Sequence, residues 1–300
     1  MSRGAVPARG RCPARLALAL LLGATVLAGP PAGAADSRPS TVADPRRFET
    51  FELVLPRLEA TRTVRVYLPP GYAGCRGCRY PVLYFLDGQN LFDAATSFAG
   101  EWQADETLDA LYRAHGLAFI AVAIDHGGGA RVQELSVWEN PRFAPARGEA
   151  FLDDLVAVVK PAIEARYRTR RDAASTTIAG SSMGALMAQA ALLRHPESFG
   201  RGLLFSPSWW FSPAIATEAA QRALQPGQRT YVMVGTAEGG TVQADARAMV
   251  ERWRARLPEG AAIEFVEQPG AGHTEASWAA ALPAALCWLQ AGACTDGQGG

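Results

Sequence analysis

One stretch restricts this chain more than any other: Ser175-Thr-Thr-Ile-Ala-Gly-Ser-Ser-Met-Gly184, running on into Ala-Leu-Met-Ala-Gln-Ala-Ala-Leu-Leu. A β-branched run meets Gly180-Ser181-Ser182-Met183-Gly184 and an apolar helix former follows, the strand-turn-helix setting that a G-x-S-x-G elbow requires. The two glycines fix the register, making Ser182 the candidate nucleophile and Ser181 a spacer. Lacking Cβ atoms, Gly180 and Gly184 let strand and helix approach closely and leave the serine on a sharp, strained turn. The helix beginning near Met183 then directs its positive end at the reacting oxygen. Taken alone the pentapeptide also describes an ordinary tight turn, so its weight comes from the partners found downstream.

Around the elbow, strands and helices alternate. Residues 49–57 and 61–68 alternate apolar and polar, as half-buried strands do, and read as an opening antiparallel pair. Tyr80 to Leu86 and Leu117 to Ile124 are continuously apolar, which fits strands covered on both faces. Helices are expected over 104–114, 148–167, 214–224, 245–257 and 275–289, with further strands at 202–205, 230–234 and 262–266. This order predicts an α/β fold with a mostly parallel sheet between helices on both faces, in one domain over 47–300. Ligands of such sheets bind at the carboxyl ends of the strands.

A serine hydroxyl is a poor nucleophile until an oriented base takes its proton. His273, in the glycine-rich loop Pro269-Gly-Ala-Gly-His273, is the one histidine that lies a full strand-helix-strand beyond Ser182. His195 and His115 sit at helix ends and His126 precedes the nucleophile. Glu238, just after the strand ending Val-Gly-Thr-Ala, is the expected acid; Asp245, at a helix start where capping explains it, is the alternative. A tetrahedral intermediate needs two backbone N–H donors, assigned to Met183 and to Gln89 in the turn Asp87-Gly-Gln-Asn90. His126-Gly-Gly-Gly129 imitates a lipase oxyanion string but follows the wrong strand, so it reads as a flexible substrate-side loop.

The ends of the chain speak to location. Arg3, Arg9, Arg11 and Arg15 precede the apolar run Leu16 to Ala28 and the small-residue site Ala32-Gly33-Ala34, so residues 1–34 read as a cleaved secretory signal rather than an anchor helix. Residues 35–46 read as a flexible lead-in. The expected product is periplasmic or secreted, with no membrane attachment after cleavage. It retains Cys75, Cys78, Cys287 and Cys294, whose simplest pairing is Cys75 with Cys78 and Cys287 with Cys294, a zinc site being the alternative. Lys plus Arg and Asp plus Glu both number 29, which gives no electrostatic reason to expect a nucleic-acid partner. A small-molecule substrate is the default partner, and the oligomeric state is not legible.

Leu86-Asp-Gly-Gln-Asn-Leu-Phe92, Gly180-Ser-Ser-Met-Gly184, His195-Pro-Glu-Ser-Phe199, Ser206-Pro-Ser-Trp-Trp210, Val234-Gly-Thr-Ala-Glu238 and Gly272-His273 with Trp278 keep their order along nearly the whole mature chain. Together they resemble the esterase D and enterochelin esterase-like family of α/β-hydrolases. The resemblance implies a serine carboxylesterase that needs no metal or organic cofactor. That family includes siderophore, feruloyl and acetyl xylan esterases, S-formylglutathione hydrolases and mycolyl transferases, and its acid is often Asp where this chain has Glu238. Export disfavours a glutathione thioester. Trp209 and Trp210 stack on an aromatic acyl group or pack in the core, and Arg131 meets an anionic group or is a solvated loop charge. An aromatic or siderophore-type ester is the expected substrate. An acyltransferase on the same triad and an inactive exported binding protein are the competing readings.

Overall fold

A computed structural model describes residues 39–290 and Cys294. The signal read over residues 1–34 lies outside these described residues. Eight strands form one sheet: β1 (Phe48–Leu55), β2 (Ala60–Tyr67), β3 (Val82–Leu86), β4 (Ile120–Ile124), β5 (Thr176–Ser181), β6 (Arg201–Phe205), β7 (Arg229–Gly235) and β8 (Ala262–Gln268). Across the sheet they run β1-β2-β4-β3-β5-β6-β7-β8. β1 and β2 are antiparallel, β2 meets β4 antiparallel, and every other pair is parallel. The strand bearing the elbow therefore sits in the middle, with its carboxyl end flanked by those of β3 and β6.

The helices are α1 (Ala104–His115), α2 (Arg131–Glu134), α3 (Gly148–Asp154), α4 (Lys160–Arg166), α5 (Met183–Arg194), α6 (Pro213–Gln221), α7 (Val242–Arg254) and α8 (Glu275–Leu289). β3 and β4 are buried at all five positions because helices cover both faces. Alternation along β3 divides the core. Leu83 and Phe85 join α1 and α8 on one face, while Tyr84 and Leu86 join α3 through α7 on the other. α5 is buried at eleven of its twelve positions. Each fully buried leucine on it, such as Leu186 or Leu192, contributes about 1.5–3 kcal/mol.

Three expectations are corrected. The helix anticipated over 148–167 is interrupted by a π-helical segment at Leu155–Val159. Pro161 has no amide N–H to donate to residue 157, so the α ladder cannot run through and the chain widens just upstream. The lead-in anticipated as flexible is anchored from Ser40 onward. Ser40 Oγ donates to Asp93 Oδ2 at 2.8 Å, Thr41 Oγ1 to Glu101 Oε1 at 2.9 Å, and the Ala43 amide to Asp105 Oδ2 at 2.7 Å. Third, the apolar strands begin later than Tyr80 and Leu117, because Tyr80 makes only an isolated bridge to Thr169 before Pro81.

Both expected disulfides form, Cys75 with Cys78 and Cys287 with Cys294. The four sulfurs are thereby spent on covalent bonds rather than on zinc. Among the described residues no helix is long and apolar enough to cross a membrane.

Candidate active site

The carboxyl ends of the parallel strands form one rim, and its backbone is unusual. Asp87 after β3, Ser182 after β5 and Ser206 after β6 each adopt positive φ, at 59°, 55° and 47°. For a residue with a Cβ such a conformation costs about 1–3 kcal/mol and persists where the surroundings enforce it. At the elbow the enforcement is visible. A Cβ on Gly180 would lie 2.6 Å from the Gly184 carbonyl carbon, so only glycine lets β5 and α5 meet this closely. The Ser182 amide is held by the Phe205 carbonyl at 2.9 Å.

On the far side of β6, the loop after β7 brings Glu238 against the loop after β8. His273 Nδ1 and Glu238 Oε2 lie 2.8 Å apart. The Glu238 side chain is fully buried, and its other oxygen accepts from Ser206 Oγ at 2.5 Å and from the Gly235 amide at 2.6 Å. Burial would raise this carboxyl, but the bonds from His273, Ser206 and Gly235 outweigh it and hold Glu238 below the ordinary carboxylate range. Ser206 Oγ in turn accepts from Trp278 Nε1 at 2.8 Å, and the Trp278 ring packs edge-on against His273 with centroids 5.1 Å apart. The imidazole is thus fixed at one nitrogen and on one face. Asp245 lies in the first turn of α7, bonded by Thr241 Oγ1, and does not contact His273.

Ser182 and His273 line the same cavity, about 220 Å³, together with Asp87, Asn90, Phe98, His126 and Glu275. The Ser182 hydroxyl is hydrogen-bonded at 3.1 Å to Ser208 Oγ rather than to the imidazole. A wider depression of about 460 Å³ near Arg46, Arg47 and Leu68 lies at the opposite end of the strands. Its arginines are already paired with Asp44 and Asp109, and its lining holds no serine or histidine, so the smaller cavity is the candidate site.

The other expected site residues divide. The backbone amides of Met183 and Gln89 donate no hydrogen bond among the described residues, though neither residue lines the cavity. Arg131 does line it, but its guanidinium is engaged bidentately by Asp87, at 2.6 and 2.7 Å, so its charge is already matched. Trp209 is buried, donates from Nε1 to Gln189 and packs edge-on against Trp253; it belongs to the core and not to the cavity. Trp210, its neighbour in a 3-10 turn, is 54% exposed and also lies off the cavity wall.

Sequence reasoning passed over Phe98 and Glu275 as cavity residues; His126 opens the loop read as flexible and substrate-side, which forms a 3-10 turn at Gly128–Ala130 leading into α2. The Gly128 amide donates to His126 Nδ1 at 2.9 Å, and burial holds the imidazole below its ordinary range, hence neutral. From that hydrogen bond we assign the ring proton to Nε2, which is buried and has no acceptor. Phe98 approaches this ring edge-on at 5.9 Å. The available signal was position alone, since His126 follows β4 and so falls on the rim.

The Esterase family model, described as "Putative esterase", matches residues 56–289. The chain belongs to this Esterase family. Its members' chemistry, hydrolysis of carboxylic esters, is the chemistry of this enzyme. This esterase is 27% identical over 199 residues, 64% of its length and 74% of the other's, to "Uncharacterized protein YbbA" of Bacillus subtilis. It is 32% identical over 146 residues to the siderophore triacetylfusarinine C esterase of Aspergillus fumigatus, spanning 46% of this chain and 48% of that protein. Among solved structures, the enterobactin esterase FES from Shigella flexneri aligns with TM-score 0.67 at 20% identity, over 84% of this chain and 60% of the other. At that identity the structural likeness speaks for the fold alone, an α/β-hydrolase-type sandwich.

Proposed function

We propose that this esterase is an exported serine carboxylesterase in which Ser182 is the nucleophile, His273 the general base and Glu238 the carboxylate that orients it. The observation carrying this reading is the 2.8 Å hydrogen bond that the buried Glu238 carboxylate accepts from His273 Nδ1, with His273 and Ser182 on the wall of one cavity. With Nδ1 committed, Nε2 is the nitrogen left to accept a proton. Ser182 Oγ turns from Ser208, gives its proton to Nε2 and attacks the ester carbon. The amides of Met183 and Gln89 stabilise the resulting oxyanion. Imidazolium then protonates the departing alkoxide, leaving an acyl-Ser182, and a water activated by the same imidazole releases the acid and restores the serine.

For the substrate we favour an aromatic or siderophore-type ester, a small molecule held without nucleic acid or membrane. Phe98 offers an aromatic surface in the cavity, and the curated relative at 32% identity acts on a siderophore. Two disulfides, together with the basic and apolar N-terminal pattern, support export to the periplasm or beyond. Purified protein should label with a fluorophosphonate probe and hydrolyse p-nitrophenyl acetate, both abolished by Ser182→Ala. Turnover that survives this substitution would defeat the reading. A screen of siderophore, feruloyl, acetyl-sugar and short-chain esters then identifies the acyl group.

A further inference from the structure

We infer that Glu101, Asp105 and Glu106 form a binding site for a hard divalent cation, Ca²⁺ foremost, that fastens the loop before α1 to the anchored segment at residues 40–43. One carboxylate oxygen from each of the three lies within 4.8 Å of the others. Acidic residues in the first turn of a helix are ordinary, because the helix dipole favours them. Two observations take this cluster out of the ordinary. Asp105 is 0% exposed, and while its Oδ2 accepts from the Ala43 amide, its Oδ1 is buried with no partner. Glu106 Oε2 is likewise buried and without a partner.

Among the described residues none of the three carboxylates makes an ion pair. The nearest arginine network, around Arg47, is engaged with Asp44 and Asp109. Leaving charged oxygens buried and unmatched costs several kcal/mol. Either a cation or a shared proton must answer for them. A Ca²⁺ ion takes six to eight oxygens in flexible geometry, so three carboxylates with added waters suit it better than the stricter octahedron of Mg²⁺.

The site lies beside the cavity without belonging to it. Glu101 follows Gly100, where an added Cβ would come within 3.2 Å of Glu275, and the same loop supplies Phe98 to the cavity wall. Fixing Glu101 therefore fixes a wall of the site.

Calorimetric titration of EDTA-treated, dialysed protein with CaCl₂, and separately with MgCl₂, tests this directly, with thermal unfolding recorded alongside. The expected result is one Ca²⁺ per chain, bound more tightly than Mg²⁺, with a rise in Tm. Asp105→Asn should weaken binding at least tenfold while leaving the fold intact by circular dichroism. Glu101→Gln, at a partly exposed position, provides a second variant with the same expected direction should Asp105→Asn fold poorly. The inference is overturned if neither ion binds at millimolar concentration. It is equally overturned if Asp105→Asn raises Tm in EDTA and no binding is lost, which would mean a proton shared with Glu106 fills the role.

Discussion

Ser182 Oγ rests 3.1 Å from Ser208 Oγ, a buried hydroxyl on the loop after β6. The backbone at Ser182 is held at φ 55°, and Ser182 shares the cavity wall with His273. On the proposed mechanism, Ser208 is a resting place for the Ser182 hydroxyl. Ser182→Ala should lower kcat by at least about 10³-fold, whereas Ser208→Ala should keep kcat/KM within roughly tenfold of the parent. Steady-state kinetics on p-nitrophenyl acetate compares the two, and equal losses would give Ser208 a larger part than this.

Ser206 holds Glu238 in place, donating to its Oε1 while accepting from Trp278 Nε1. Ser206→Ala removes one of the bonds that keep the carboxylate ionised and aimed at His273. We expect kcat to fall by about tenfold with KM unchanged, since orientation of the base matters most in the transition state. A rise in KM alone would place Ser206 at the substrate instead.

The depressed Glu238 carboxyl links stability to pH. Its folded value lies below the ordinary 4.5, so the unfolded chain binds the proton more readily. The stabilisation is present above pH 4.5 and is lost as pH falls through the lowered folded value. Urea unfolding at descending pH should show a steeper loss for the parent than for Glu238→Gln over that window. Coincident slopes would mean that the carboxyl is not depressed in the fold.

Trp209 and Trp210 should separate cleanly. Trp209→Ala empties a buried site and is expected to cost about 3–5 kcal/mol in denaturant unfolding. Trp210→Ala, at an exposed position, should change stability by no more than about 0.5 kcal/mol. Neither lines the cavity, so KM for a small ester should hold in both folded variants.

His126 lines the cavity with its Nε2–H buried and unpartnered, so a substrate reaches that donor only when the ring turns outward. His126→Phe retains the ring and removes the donor. For esters whose acyl group carries an oxygen acceptor, KM should rise by about five- to tenfold, the worth of one hydrogen bond. For p-nitrophenyl acetate, too small to reach it, KM should stay the same. A uniform rise across both substrates would point to a packing effect.

Much of this was readable from residues. The β-branched run and paired glycines fixed β5, the elbow and α5, and the continuous apolar segments marked β3 and β4 as central strands. α8 begins where Thr274 caps it and ends as its pattern foretold. What escaped depended on partners distant in the chain. Arg131 and Asp87 are 44 positions apart, and nothing local announces their pairing. Trp209 and Trp210 share a three-residue turn, too short for periodicity to tell the buried ring from the exposed one. The wider π turn at Leu155–Val159 lies inside a run whose apolar spacing suits an unbroken helix, and Pro161 was its one visible sign.

The strand carrying Ser182 divides the rim in two. Loops on the β3 and β4 side supply Asn90, Phe98 and His126 to the cavity, while loops on the β7 and β8 side supply Glu238 and His273. On the proposed mechanism, the aromatic wall at Phe98 and the Glu238–His273 pair come from different sides of the elbow. Exchanging residues 97–99 and 126–130 would, on that mechanism, offer a route to new ester preferences that leaves Gln89, Glu238 and His273 where they stand.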